Sequence, residues 1–130
     1  MRIYWDSCLV IYDVEGAMPF AERLRAAYEA MTDGTVHVSD LVRLECMVVP
    51  LRTKHDKLIE AYETRFSTLA KLDMDAATFD LAATLRADHR LKTPDALHAA
   101  CAIRHRCDEL WTNDGRFTAI ASRIAIRVLT

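Results

Sequence analysis

Residues 91–114 read LKTPDALHAACAIRHRCDELWTND, and this stretch predicts a helix followed by a buried strand. Thr93 is a good N-cap, and Asp95 would then lie in the first helical turn, where the positive end of the helix dipole favours a carboxylate. The run of good helix formers that follows predicts a helix over 93–106. Residues 109–112, Glu-Leu-Trp-Thr, come next and predict a strand of the buried type. This order indicates the helix–strand unit of an α/β protein.

The rest of the chain continues the alternation of strands and helices. Further strands are predicted over 2–5, 35–38, 71–74 and 124–129, and further helices over 17–32, from Ser39 or Asp40 to Pro50, over 58–69 and over 75–88. We therefore expect an α/β three-layer sandwich with a central, mainly parallel sheet of about five strands. A single domain over residues 1–130 should form it.

The composition is that of an ordinary globular protein, with 52% hydrophobic and 28% charged residues and a formal net charge of −2. This balance argues against disorder and gives no sign of nucleic-acid binding. The four cysteines form no C-x-x-C pair, and acidic residues at positions 6, 13 and 15 interrupt any apolar run near the N-terminus. We expect reduced cysteines, no secretory signal, no membrane-spanning segment and a cytoplasmic protein.

Three aspartates are predicted to lie at one edge of the sheet. Asp6 ends the first strand, Asp114 follows a later strand, and Asp95 begins a helix. Ligands of open parallel sheets bind at the carboxyl ends of the strands, near the point where the strand order reverses. Each aspartate also has a purely local interpretation: Asp6 as a helix cap, Asp114 in an Asp-Gly turn, and Asp95 as a partner of the helix dipole. Their coincidence at one edge favours a shared site.

Glu45 is predicted to lie within the apolar arc of its helix, between Leu41 and Val49. A buried, unpaired carboxylate costs on the order of several kcal/mol, so it needs a cation or a proton. The simpler alternative is a glutamate that snorkels at the edge of the arc. No basic residue close in sequence obviously pairs with Glu45, so its partner is either a residue distant in sequence or a divalent metal ion.

The candidate metal ligands are oxygen atoms, which favour Mg²⁺ or Mn²⁺ over zinc. The four carboxylates are those of Asp6, Glu45, Asp95 and Asp114, and the supporting polar residues are Ser7, Thr93 and Asn113. His98, Cys101 and His105 are spaced to share a helical face, but nothing else completes a tetrahedral zinc site. We therefore interpret His98 as a polar residue near the helix start and Cys101 as a core residue.

Other phosphate chemistries fit the sequence less well. The chain has no Gly-rich phosphate loop and no G-x-S-x-G motif. A nucleophilic-Asp phosphatase would have a second aspartate two residues after Asp6, where Cys8 stands. A receiver-type domain would have a lysine on a late strand, and residues 109–112 and 124–129 contain none.

Four segments in a fixed order carry a more specific pattern: IYWDS at 3–7, VSDLVRLE at 38–45, LKTPDALHAA at 91–100 and LWTND at 110–114. Together they resemble the PIN domain family, and more narrowly the VapC-type toxins of bacterial toxin–antitoxin pairs. The resemblance spans nearly the whole chain, and its last two segments are the most specific.

This resemblance implies a pocket of four carboxylates that binds Mg²⁺ or Mn²⁺, and endonuclease action on RNA. The family's acidic quartet falls on Asp6, Glu45, Asp95 and Asp114. The family's hydroxyl beside the first aspartate falls on Ser7. The resemblance also implies a homodimer and a small antitoxin whose C-terminal segment enters the active-site groove. Asp40 is an additional acid near Glu45, and we interpret it as a helix cap.

Basic residues near the last two segments are candidates for contacts with the RNA backbone, although a solvated basic loop is an equal alternative. They are Arg86, His89, Arg90, Lys92 and Arg116. The apolar stripes over 20–31 and 58–69 are long for so small a core and predict an exposed patch for a partner.

Two other functions remain open at this point. One is a PIN-like module that binds RNA under the control of a partner, without significant catalysis. The other is a structure-specific DNA nuclease, because the hydrolysis of a phosphodiester by bound metal does not by itself distinguish the sugar.

Overall fold

Five β-strands and six α-helices form the protein, described by a computed structural model over residues 1–130. The strands are β1 (Arg2–Trp5), β2 (Thr35–Ser39), β3 (Ala70–Leu72), β4 (Glu109–Thr112) and β5 (Ala125–Val128). The helices are α1 (Ser7–Glu15), α2 (Phe20–Glu29), α3 (Asp40–Arg52), α4 (Asp56–Thr68), α5 (Ala76–His89) and α6 (Thr93–Arg104). A 3₁₀ helix, Gly115–Ile120, precedes β5.

All strand pairs of the sheet are parallel, in the order β3-β2-β1-β4-β5. The chain first moves from β1 outward to β3 and then returns across the sheet to β4. Since such crossovers are right-handed, the reversal places α5 and α6 on the opposite face from α1 to α4, and the two groups pack within themselves. The predicted three-layer α/β sandwich with five strands is confirmed. The strand order reverses between β1 and β4, so the ligand-binding crevice of this fold lies at their carboxyl ends.

The local predictions differ from the structure in several places. Helix α1 was not predicted, because its run of Cys, Leu, Val and Ile is typical of a strand. It is bounded by an Asp6 cap and by Gly16, which ends it at φ +69°. Helix α2 is shorter than the expected 17–32. Pro50 lies inside α3 rather than at its end, and two helical residues follow it.

Thr93 is not the N-cap of α6. The amide of Ala96 donates to the carbonyl of Lys92, so the helical hydrogen bonds begin one residue earlier, and no side chain caps this end. Similarly, Ser39 caps α3 through its hydroxyl, and Asp40 is an exposed first-turn residue whose carboxylate lies 3.6 Å from Lys71 Nζ.

The core is one cluster of buried side chains around the sheet, and it includes both tryptophans, Trp5 and Trp111, as well as Cys101. The exposed apolar patch does not lie mainly on the two predicted stripes. It lies on α3, where Leu44, Val48 and Leu51 are 59%, 43% and 58% exposed. No helix is long and apolar enough to cross a bilayer.

Candidate active site

Asp6 lies directly after β1, at the point where the strand order reverses. Its amide donates to the carbonyl of Trp111 on β4 over 3.0 Å. Its Oδ1 accepts from the amide of Ser7 at 2.8 Å, and its Oδ2 accepts from the hydroxyl of Thr112 at 2.7 Å. The side chain is therefore a helix cap and a buried carboxylate that accepts hydrogen bonds from both α1 and β4, so the local interpretation as a cap is correct.

Glu45 and Asp6 both lie next to His98, a residue that was not predicted to belong to the site. Nε2 of His98 lies 2.5 Å from Oε1 of Glu45 and 3.6 Å from Oδ1 of Asp6. One ligand atom from each of the three residues lies within 4.8 Å of the others. The Glu45 side chain is 30% exposed, so it lies at the edge of the apolar arc rather than inside it.

His98 is itself held by a chain of buried hydroxyls. Its Nδ1 lies 2.7 Å from the hydroxyl of Tyr4, which lies 2.7 Å from the hydroxyl of Ser39. Burial raises the pKa of Tyr4 well above its usual value, so the phenol stays protonated. Because the Glu45 carboxylate accepts from Nε2–H, a neutral imidazole accepts the Tyr4 proton at Nδ1. The signal that could have found His98 is its spacing from Asp95, since residues three apart share a helical face.

Asp95 lies in the first turn of α6 and is half-buried beside this group. Burial raises its pKa, and the negative charges of Asp6 and Asp114 raise it further. Asp95 is therefore close enough to Asp6 and Asp114 for their negative charges to act on it. Neither Asp95 nor Asp114 belongs to the tight group of Asp6, Glu45 and His98.

Asp114 begins the 3₁₀ helix and is bound by Arg116. Its Oδ1 accepts from the backbone amide of Arg116 at 2.9 Å, and Nη2 of the guanidinium lies 2.6 Å from Oδ2. These hydrogen bonds lower the pKa of Asp114 below its usual value. Of the four predicted acids, the structure thus brings Asp6 and Glu45 into contact with His98, leaves Asp95 beside them, and pairs Asp114 with a cation.

The predicted supporting residues Ser7, Asn113 and Thr93 make weaker contacts with the acids or none. The Ser7 hydroxyl is 3.5 Å from Asp6 Oδ1, and the amide of Asn113 donates to the hydroxyl of Tyr12 at 2.8 Å. Thr93 makes no side-chain hydrogen bond at the start of α6. Besides His98, a second residue that was missed is Thr112, whose hydroxyl donates to Asp6 and accepts from the amide of Asp114 at 3.1 Å. Thr112 stands two residues before Asp114 in the LWTND segment, which is the signal that could have found it.

A cavity of about 280 Å³ opens beside the acids, lined by cationic side chains and Asp95. Its lining includes His89, Arg90, Lys92 and Arg116. Arg86 lies outside this lining, and its Nε donates to the carbonyl of Leu91 at 3.0 Å. The other two zinc candidates, Cys101 and His105, both contact the carbonyl of Asp73 and do not belong to the group of possible metal ligands that contains His98.

The chemistry of the donor set fits a hard divalent cation. Asp6 and Glu45 offer carboxylate oxygens at the reversal point, and Asp95 and Asp114 add negative charge around them. Such ligands suit Mg²⁺ or Mn²⁺, and the single imidazole with no cysteine partner does not make a zinc site.

The PIN domain family model matches residues 3–123 of the sequence. No curated protein matches it. Among solved structures, the chain is similar to VapBC2 from Rickettsia felis bound to a DNA fragment from its promoter, with a TM-score of 0.78, 16% identity and 100% of both chains covered. It is also similar to a toxin–antitoxin complex from Klebsiella pneumoniae, with a TM-score of 0.77, 22% identity and 98% of both chains covered.

A third similar structure is VapC20 from Mycobacterium tuberculosis, a toxin that cleaves the sarcin-ricin loop. The TM-score is 0.74 at 18% identity, over 96% of this chain and 98% of that one. At such identities the likeness shows a shared fold. The family itself follows from the sequence match, which spans nearly the whole length, and the chain belongs to the PIN domain family.

Proposed function

We propose that this protein is a metal-dependent endoribonuclease that hydrolyses RNA phosphodiester bonds with Asp6, Glu45, Asp95 and Asp114. The observation that carries the proposal is the convergence of Asp6, Glu45 and His98 at the carboxyl ends of β1 and β4. The two carboxylates carry like charges close together, and a bound divalent cation would compensate them.

The four carboxylates would hold Mg²⁺ or Mn²⁺, and His98 and Thr112 would orient two of them. A bound metal lowers the pKa of a coordinated water and neutralises charge on the phosphate. Glu45 would take the proton of the attacking water, because it is the most exposed carboxylate of the tight group. His98 would fix the direction of Glu45 through Nε2 and is therefore a positioning residue.

The decisive experiment is cleavage of a labelled RNA by the purified protein in Mg²⁺, Mn²⁺, Zn²⁺ or EDTA. We expect cleavage with Mg²⁺ or Mn²⁺ and none in EDTA. Asp6→Asn should abolish it, and Asp80→Asn, which changes an exposed acid on α5, should not. Full activity in chelator, or activity with zinc alone, would overturn the site as described.

Two alternatives are separated in the same assay. A DNA strand of identical sequence tests the DNA nuclease, which would cut it at least as fast as RNA. A module that only binds RNA would retain its RNA affinity in EDTA and cut nothing under any condition.

We further propose that the protein acts in the cytoplasm as a toxin, with a small antitoxin as its partner and a second copy as its dimer mate. Similar structures are toxin–antitoxin complexes. On this chain, a groove of about 460 Å³ between α3 and α4 is lined by four apolar residues, Leu44, Met47, Leu51 and Ile59, together with the charged residues Asp40, Arg43 and Glu63. Exposed apolar residues grouped in this way mark protein–protein contacts.

Light scattering tests the dimer, and co-expression with the product of a small adjacent reading frame tests the antitoxin. We expect a dimer in the first measurement and a stable complex without RNA cleavage in the second. A monodisperse monomer at high concentration that no adjacent product inhibits would overturn the toxin assignment while leaving the nuclease assignment intact.

A further inference from the structure

Arg116 lies in the 3₁₀ helix that follows β4 and forms several hydrogen bonds with Asp114. The guanidinium Nε lies 3.0 Å from both oxygens of the Asp114 carboxylate, and Nη2 and the backbone amide supply further donors. Both oxygens of this acid are thereby engaged by one residue. A divalent cation that used Asp114 as a ligand would have to compete with Arg116 for the same lone pairs.

The same guanidinium faces a basic cavity. Arg116 lines the cavity of about 280 Å³ together with Arg90, Lys92 and Asp95. These three cationic side chains can bind a phosphate of the RNA backbone. Because Asp95, one of the four acids, also lines the cavity, this phosphate would lie next to the one that reacts. The Arg116 side chain is 63% exposed, so it can turn from a carboxylate to a phosphate without disturbing the core. A guanidinium binds both groups with the same planar donors.

We infer that Arg116 couples RNA binding to the metal centre by exchanging the Asp114 carboxylate for an RNA backbone phosphate. Arg116 and a divalent cation compete for Asp114, and a phosphate seated in the basic cavity relieves this competition. RNA binding then frees Asp114 for the metal centre, and by reciprocity an occupied metal centre favours the contact between Arg116 and RNA. The inference rests on the proposed function and names the residue that links its substrate to its cofactor.

The test substitutes Arg116→Gln and measures two affinities that should move in opposite directions. Calorimetric titration with Mn²⁺ alone should show roughly two- to fivefold tighter binding, because an exposed ion pair no longer competes. Anisotropy of a labelled 12-nucleotide RNA in Ca²⁺ should show roughly tenfold weaker binding, since one charge-assisted contact is lost. The slope of log affinity against log salt should shrink by about 0.7.

The matched control is Arg104→Gln. Arg104 forms a similar exposed pair with Asp75, 3.1 Å from Nη2 to Oδ2, at the other end of α6. It lies nine residues beyond Asp95, roughly 13 Å along the helix axis at about 1.5 Å per residue. Its removal changes the net charge by the same amount and should leave both affinities unchanged. Arg116→Lys should keep most of the RNA affinity, because it retains the charge.

A double-mutant cycle with Asp114→Asn shows whether the metal effect passes through Asp114. In that background Arg116→Gln should no longer tighten Mn²⁺ binding. If Arg116→Gln still tightens Mn²⁺ binding in that background, the effect comes from the change in charge near the site, and the proposed exchange of Asp114 for a phosphate is wrong. Unchanged Mn²⁺ or RNA affinity in the single variant would also overturn it, provided the wild-type protein binds Mn²⁺ and cuts RNA. A wild-type protein that does neither would instead refute the proposed function.

Discussion

Nε2 of His98 lies 2.5 Å from the carboxylate of Glu45, and this contact joins α6 to α3 across 53 residues of sequence. The opposite nitrogen of the same ring is bound to Tyr4 on β1. A buried imidazole with partners on both nitrogens has a fixed ring orientation. Glu45 therefore has its direction set by His98 and, through Tyr4, by the sheet, although it projects from the edge of the apolar arc of α3.

Replacing His98 should damage the site and the fold together. His98→Ala removes a ring that is 1% exposed and leaves a cavity, so the free energy of unfolding should fall by about 2–4 kcal/mol in chelator. Loss of the contact that orients Glu45 should weaken Mn²⁺ binding by about 10- to 100-fold. Urea unfolding and calorimetry measure the two effects. Wild-type Mn²⁺ affinity in a folded variant would exclude the positioning role.

Thr112 should tolerate serine but not valine. Thr112→Val keeps the shape of the side chain but removes the donor to Asp6 and the acceptor for the Asp114 amide. We expect a loss of about 1–3 kcal/mol in the free energy of unfolding and about tenfold weaker Mn²⁺ binding. Thr112→Ser retains both hydrogen bonds and should bind Mn²⁺ like the wild type. Equal Mn²⁺ affinity in the valine variant would show that the hydroxyl serves the fold alone.

Asp95→Asn should abolish RNA cleavage without lowering stability in the absence of metal. Burial and the charges of Asp6 and Asp114 raise the pKa of Asp95 in the folded chain, so its ionised form penalises folding. Removing the charge relieves this penalty, which should offset the lost dipole interaction of about 0.3–1 kcal/mol. Thermal unfolding of both proteins at pH 7 in EDTA measures the net change in stability.

The pH dependence of this difference has a definite sign. A raised folded-state pKa means that the penalty is fully present above that pKa and vanishes as the pH falls below the unfolded value of about 3.9. The advantage of Asp95→Asn at pH 7 should therefore shrink toward pH 4. An Asp95→Asn variant that melts earlier at pH 7 yet still cuts RNA would show that Asp95 serves only the helix dipole.

The apolar surface of α3 should be dispensable for folding but required for association. Leu44→Ser with Leu51→Ser replaces two side chains that are more than half exposed, so each change should alter the free energy of unfolding by no more than about 0.5 kcal/mol. Light scattering should show loss of the dimer or loss of the antitoxin complex.

Val49→Ser is the control for this surface. Val49 is also exposed, but it lies about 140° around α3 from Leu44, at roughly 100° per residue. It should leave association unchanged. If the Leu44 and Leu51 changes have no effect on either complex, the groove between α3 and α4 is not the binding surface.

The sequence was sufficient for those features that depend on near neighbours. Periodicity and capping predicted five strands in alternation with helices, and the order of segments placed Asp6 and Asp114 directly after strands that became β1 and β4. Local rules were less reliable where two of them disagreed. In α1, β-branched residues favour a strand while Asp6 and Gly16 are helix caps, and packing against α2 and α3 decided for the helix.

The tertiary structure alone decided which groups touch. Glu45 was expected to need a cation, and no near neighbour offered one, because its partner His98 comes from the far side of the sheet. The position of His98 in the sequence indicated only which face of the helix it occupies. Its two partners, Tyr4 and Glu45, come within reach because the reversal of strand order places α6 over β1. Helix and strand patterns act over a few residues, while the contacts that fix the charged groups of a buried site arise only when the sheet has assembled. For that reason the acids could be named from the sequence, and the hydrogen bonds that orient them could not.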